Sequence, residues 1–255
     1  MVRVARDKSK TGIYHIMLRG INRQIIFEDA EDNKKFLEML NFYKQYKESH
    51  RYNVYGYCLM SNHVHILLQE VDDDIATAIK RICASYVYWY NTKYDRCGHL
   101  FQERFKSEVV ESESYFVTVL RYIHQNPIKA RLVKRIKDYP WSSYNEYVIK
   151  VDIINTDLGL NIFSSGREKG IELFINYHEE DNSDKCLDYE TFIKLTDNEV
   201  RQLIKGLGIE SISELQHLEK SKRDFILRKL KRIDGVSLRQ LSRLTGISKS
   251  VIHRS

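Results

Sequence analysis

Proline and glycine are scarce in this chain, with 2 and 11 among 255 residues. That scarcity excludes a collagen-like or linker-rich protein, and a hydrophobic fraction of 42% suits a substantial packed core. The four cysteines, Cys58, Cys83, Cys97 and Cys186, form no C-x-x-C pair. Their spacing argues against a zinc finger and against a disulfide framework. No apolar run approaches the ~20 residues that a membrane helix needs, and no signal-peptide core follows Met1. The expectation is a soluble, cytoplasmic protein with no membrane partner. A chain of this length holds one large domain, or a domain and a smaller module.

Charge is modest in total and uneven in distribution. Lys and Arg number 41 against 35 acids, a net charge of +6. The acids concentrate at Asp72-Asp73-Asp74 and in residues 179–184, which leaves the rest of the surface more basic than the total implies. Such a surface fits a polyanionic partner.

The first 110 residues alternate in a regular order. Residues 12–19 read as a strand, with Ile13, His15 and Met17 alternating against Tyr14, Ile16 and Leu18. Residues 31–49 carry a helical stripe at Phe36, Leu37, Leu40 and Tyr43. Two strands, 52–59 and 63–69, flank the polar turn Met60-Ser61-Asn62. A second helix runs from Asp74 to about residue 90, and 100–110 reads as a fourth strand. The order β-α-β-β-α-β predicts an α+β, ferredoxin-like antiparallel sheet with helices on one face. A helix over 113–126 follows, capped by Ser112 or Ser114 and stopped by Pro127. The acidic stretch 179–185 reads as a linker, and short helices follow it. The expected division is a catalytic domain over 1–149, a connecting segment over 150–187, and a small all-α, helix-turn-helix-like domain over 188–255.

His63-Val64-His65 is the most informative short pattern. Residues i and i+2 of a strand share a face, so both imidazoles project from one side while Val64, Ile66 and Leu68 turn to the other. Two neutral imidazoles converging from a sheet face can hold a divalent ion; a hydrogen-bonded pair of half-buried histidines is the plainer alternative. Tyr122 and Asn126, four apart on the predicted 113–126 helix, lie one above the other, with Tyr115 near the same face. A tyrosine beside a metal-bound phosphate can attack phosphorus and form a covalent phosphotyrosine, and Asn126 can add an oxygen ligand. With 17 tyrosines in the chain, core packing is the competing role.

Basic residues flank this constellation. Arg19, Asn22 and Arg23 sit in the loop after the first strand, and Arg104 and Lys106 alternate along the fourth, which suits either contacts to a phosphate backbone or plain solvated surface charge. Tyr86, Tyr88, Trp89, Tyr90 and Tyr94 offer either stacking surfaces or helix-core packing. Residues 236–254 pattern as a helix-turn-helix: Ser237 as cap, Gly246 at the turn, and Leu241, Ile247 and Ile252 as core. Lys249, Ser250, His253 and Arg254 would then face a major groove. A plain three-helix bundle for protein contact is the alternative.

The stretch Tyr57-Cys58-Leu59-Met60-Ser61-Asn62-His63-Val64-His65-Ile66-Leu67-Leu68 resembles the HUH segment of the single-tyrosine transposases, the REP-associated branch in particular. Three further stretches carry the resemblance: Leu18-Arg19-Gly20 with Ile26-Phe27, residues 98–106, and residues 122–130. Together they span roughly residues 10–147. The resemblance implies Mg²⁺ or Mn²⁺ on His63 and His65, Tyr122 as nucleophile, and Asn126 as partner of the metal or phosphate. It implies cleavage and rejoining of single-stranded DNA near hairpins through a 5′-phosphotyrosine, by a monomer or homodimer. Ser61 departs from the proline common in the family's turn. Two histidines and an amide make a weak site for a hard cation. A non-catalytic DNA-binding regulator and a metal-dependent hydrolytic nuclease are the rival functions.

Overall fold

The computed structural model describes residues 6–188, 195–209, 214–233 and 236–255. They fall into two compact units, Met1–Asp188 and Tyr189–Ser255.

In the first unit, β1 (Ile13–Arg19) leads to α1 (Ala30–Lys44), a short hairpin of β2 (Gln45–Tyr46) and β3 (Ser49–His50), then β4 (Tyr52–Met60) and β5 (His63–Glu70). Helix α2 (Ile75–Lys93), β6 (Lys106–Val109) and α3 (Glu113–Lys129) follow. Among the described residues, four strands make one antiparallel sheet in the order β4-β5-β1-β6. Read by its long strands, this is the ferredoxin-like β-α-β-β-α-β arrangement expected from the pattern.

Helices α1, α2 and α3 each start where the sequence supplies a cap. Asp29 accepts from the Glu31 and Asp32 amides, Asp74 from Thr77, and Ser112 from Tyr115. Three boundaries differ from the sequence expectation. Helix α1 stops at Lys44 because Lys47 and Glu48 adopt positive φ and turn the chain into the β2–β3 hairpin. The fourth strand begins only at Lys106, after positive φ at Glu103, with an isolated bridge from Gly20 to Phe101 upstream. Pro127 does not stop α3. The ring removes only its own N–H from the ladder, and the Ala130 amide still reaches Asn126 O at 2.9 Å.

Register sets the two faces of the sheet. Met17 pairs with His65, Arg19 with His63, and Lys106 with Met17, so these side chains share one face. Tyr14, Ile16, Leu18, Val64, Ile66 and Leu68 take the other. There α1 and α2 pack together, and Tyr52 Oη donates to Leu40 O of α1 at 2.7 Å. Ile16, Ile66 and Phe36 are fully buried, each stabilising the fold by about 1.5–3 kcal/mol. Helix α3 covers the histidine face.

Residues 150–187 belong to the first unit. They form α5 (Asp157–Phe163) and α6 (Arg167–Glu179) after the short α4 (Tyr144–Val148), and Phe174 stacks on Tyr147 at 4.5 Å. The acidic stretch read as a linker is held in place by α3. Arg121 binds Asp184 at 2.8 Å and Glu180 at 3.3 Å, and Gln125 accepts from Asn182. A run of acids signals solvation only until an arginine three helices back along the chain is known to face it.

The second unit holds α7 (Asp197–Gly206), α8 (Glu214–His217), α9 (Lys220–Lys231), α10 (Leu238–Thr245) and α11 (Lys249–Arg254). Its own core gathers Val200, Ile204, Leu215, Leu227, Leu230, Leu241 and Ile252. Ser237 caps α10 through the Gln240 amide, and Gly246, at φ +71°, turns the chain toward α11. Parts of the expected 188–255 domain, residues 189–194, 210–213 and 234–235, lie outside the described residues. No helix among the described residues is long and apolar enough to cross a membrane.

Candidate active site

The strand period puts His63 and His65 on one face of β5, with ring centroids 5.2 Å apart. Helix α3 lays Tyr122 across that face. Its ring stands edge-on to His65 at 5.8 Å and to His15 of β1 at 6.0 Å. Tyr122 is buried, and its hydroxyl donates to Asp188 Oδ2 at 3.1 Å. Burial, followed by the negative charge of Asp188, pushes its pKa well up, so the phenol holds its proton at neutral pH. Lys129 sets its ammonium 4.5 Å from the Tyr122 ring centre.

Both histidines are neutral. Burial pushes His63 down to about 4, against a raising effect of Asp188, and holds His65 well below the usual range. His63 Nδ1 donates to Asn62 Oδ1 at 2.7 Å, which leaves the Nε2 lone pair open. His65 Nδ1 lies 3.0 Å from His15 Nε2, and His65 Nε2 is buried with no hydrogen-bond partner. An orphaned imidazole nitrogen beside a second open one fits a divalent ion. Among the described residues, no group of three or more His, Cys, Asp or Glu side chains is gathered for a metal. The protein therefore offers the histidine pair and at most the Asn126 amide. Asn126 Nδ2 donates to Tyr122 O at 2.9 Å, so Oδ1 is the atom it has to offer.

The expected DNA contacts divide. Arg19 and Lys106 lie on the histidine face, Arg19 directly across from His63. Asn22 and Arg23 are exposed in the turn Ile21–Arg23, and Arg23 O accepts from Asn62, tying that turn to the histidine strand. Arg104 is exposed but precedes β6, so strand alternation does not pair it with Lys106. In the second unit Lys249, Ser250, His253 and Arg254 are all exposed on α11. Tyr86 and Tyr90 are core residues, while Tyr88 is exposed.

Residues 8–126 match the family model described as "Transposase IS200 like". That span contains the two histidines, Tyr122 and Asn126. That match covers just under half of the chain and makes it similar to the IS200-like transposases. The similarity is to enzymes that break and join DNA strands with a tyrosine. A protein named as a REP-associated tyrosine transposase from Haemophilus influenzae is 27% identical over 172 residues, covering 61% of this chain and 92% of the relative. A solved REP-associated tyrosine transposase bound to a REP hairpin matches at 19% identity with a TM-score of 0.49, over 62% of this chain and 90% of the other.

Three residues beside this candidate site carried no signal in the sequence. His15 was visible only as one member of an alternating strand. Glu108, 3.9 Å from His15 Nδ1, and Asp188 carried no motif. Their roles depend on strand register and on a chain return some 66 residues after Tyr122, which no local pattern encodes.

Proposed function

We propose that this protein cleaves and rejoins single-stranded DNA near hairpin-forming ends through a covalent 5′-phosphotyrosine on Tyr122. The observation that carries the reading is the Tyr122 ring, set edge-on to His65 on the face that also presents His63. The Tyr122 oxygen attacks the scissile phosphorus, the P–O3′ bond breaks, and the 3′ oxygen leaves and takes up a proton from solvent water. The phenol proton has an acceptor in place at Asp188 Oδ2. His63, His65 and the Asn126 Oδ1 would hold Mg²⁺ or Mn²⁺, which when bound supplies polarisation of the phosphoryl oxygens. Arg19 and Lys106, on the same face, bind the flanking backbone. The covalent bond keeps the phosphodiester energy, so attack by another 3′-hydroxyl rejoins the strand with no nucleotide cofactor. The basic helix α9 and the exposed α11 residues contribute further phosphate contacts to a hairpin stem.

A denaturing gel of the protein incubated with single-stranded DNA and Mn²⁺ tests this. Wild type gives a covalent adduct, Tyr122→Phe gives none, and Tyr115→Phe retains it, because the Tyr122 ring is the one set edge-on to His65 and His15. Strand cleavage with no adduct would establish a hydrolytic nuclease instead. Binding with neither cleavage nor adduct would establish a regulator.

A further inference from the structure

Glu108, His15 and His65 form a line of side chains leading to the orphaned His65 nitrogen. Glu108 stands across from His15 in the β1–β6 register, and His65 is the diagonal neighbour of His15 on β5. His15 Nδ1 lies 3.9 Å from Glu108 Oε2, and His15 Nε2 lies 3.0 Å from His65 Nδ1. His15 and His65 are both fully buried.

The single proton between the two rings has two places to sit, and they are not equivalent. With the proton on His15 Nε2, the His15 Nδ1 lone pair faces the Glu108 carboxylate, and His65 carries a buried Nε2–H with no acceptor. Both features are unfavourable. With the proton on His65 Nδ1, donated to His15 Nε2, His15 turns its Nδ1–H toward Glu108. His65 Nε2 then presents a bare lone pair. The 3.9 Å gap is too long for a direct hydrogen bond, so Glu108 acts here through its charge. The carboxylate is itself anchored, accepting from the Leu187 amide at 3.0 Å.

We propose that His15 is a positioning residue: polarised by Glu108, it fixes His65 in the Nδ1–H tautomer and ring orientation that leave Nε2 ready for a divalent ion. The inference rests on the metal reading above. Asn62 does the equivalent for His63 from the turn. Outer partners of this kind set ligand basicity and orientation, and losing one typically costs about 10–100-fold in metal affinity.

The test has two independent readouts. In metal-free protein labelled with ¹⁵N-histidine, long-range ¹H–¹⁵N correlation reports the tautomer of each ring. His65 and His15 should both be Nδ1–H in the wild type, with His65 shifting toward Nε2–H in His15→Phe and Glu108→Gln. Mn²⁺ affinity, read by titration calorimetry or electron paramagnetic resonance, should fall about 10–100-fold in His15→Phe. His15→Gln, whose amide oxygen still accepts from His65 Nδ1–H, should recover most of the loss. A purely structural role would not be rescued this way. An Nε2–H His65 in the wild type overturns the proposal, as does wild-type Mn²⁺ affinity in both His15→Phe and Glu108→Gln. If His15→Phe fails to fold, the wild-type spectrum and the partly exposed Glu108→Gln still decide. Wild-type protein that binds no Mn²⁺, or binds it as well as His65→Ala does, overturns the metal reading itself, whatever the tautomers show.

Discussion

A Cβ on Gly56 would stand 2.6 Å from Leu120 Cδ1, so a side chain at position 56 requires Leu120 of α3 to shift. Leu120 is fully buried and two residues from Tyr122, and it has little room to give. If Leu120 cannot rotate, α3 has to move off the sheet and carry Tyr122 away from His65. Gly56→Ala should destabilise the protein by about 1–3 kcal/mol through overpacking. It should also lower the adduct yield under conditions where the variant stays folded. Urea denaturation and the denaturing gel measure the two effects. A wild-type midpoint and yield would show that Leu120 simply rotates away.

The histidine pair makes an asymmetric prediction. His63 begins its strand and is partly exposed, whereas His65 is fully buried against His15. Either change to Ala should abolish metal-dependent cleavage, since one imidazole of two is lost. His63→Ala should leave stability nearly unchanged. His65→Ala should cost about 1–3 kcal/mol, because it strands the His15 ring nitrogen. Thermal melts beside cleavage assays at matched Mn²⁺ check both arms, and cleavage at wild-type rate by either variant would remove that histidine from the metal site.

Much of this site could be read along the chain, and the limits of that reading are physical. His63 and His65 share a face by strand geometry alone, and Tyr122 and Asn126 share one by helical geometry, so both pairs were visible locally. Which face of the sheet α3 would cover was not, because it depends on long-range packing, such as that of Leu120 beside Gly56, 64 positions away. His15 and Glu108 join the site only through the β1–β5 and β1–β6 registers, and pairing register is a long-range property. The acids of 179–185 misled for the same reason, since their partner Arg121 lies on α3. The ferredoxin-like order was legible because its strands and helices differ in period.

A second buried histidine pair couples stability to pH. His124 Nδ1 meets His178 Nε2 at 3.0 Å, His124 Nε2 meets Ser143 Oγ at 2.8 Å, and His178 Nδ1 meets Phe174 O at 2.9 Å. Burial pushes His178 down to about 3 and His124 well below the usual range. Both are neutral in the fold and regain an ordinary pKa near 6.5 on unfolding. The unfolded chain therefore binds more protons below pH 6.5. Their contribution is complete above that pH and is lost as pH falls toward about 3, at up to about 1.4 kcal/mol per pH unit for each ring. His15, His63 and His65 add to the same trend. Urea midpoints should be level from pH 8 to 7 and fall between pH 6.5 and 5, less steeply in His178→Gln. Midpoints that stay level down to pH 5 would contradict this.

Ending the chain after Asp188 separates chemistry from binding. The histidines, Tyr122, Asn126 and the Asp188 acceptor all lie in Met1–Asp188, which has its own core. A cut before Asp188 would also remove the acceptor of the Tyr122 hydroxyl, so the position of the cut matters. The protein lacking residues 189–255 should form adduct on a short single strand. On hairpin DNA it should bind more weakly, because α9 and the exposed Lys249, His253 and Arg254 of α11 are gone. Each phosphate contact adds about 0.7–0.9 to the slope of log affinity against log salt. The truncated form should therefore show a slope shallower by at least one such contact, measured by salt titration of hairpin binding for both forms. Equal slopes would mean that the second unit makes no phosphate contacts. Loss of adduct on the short strand would mean that residues beyond Asp188 complete the active site.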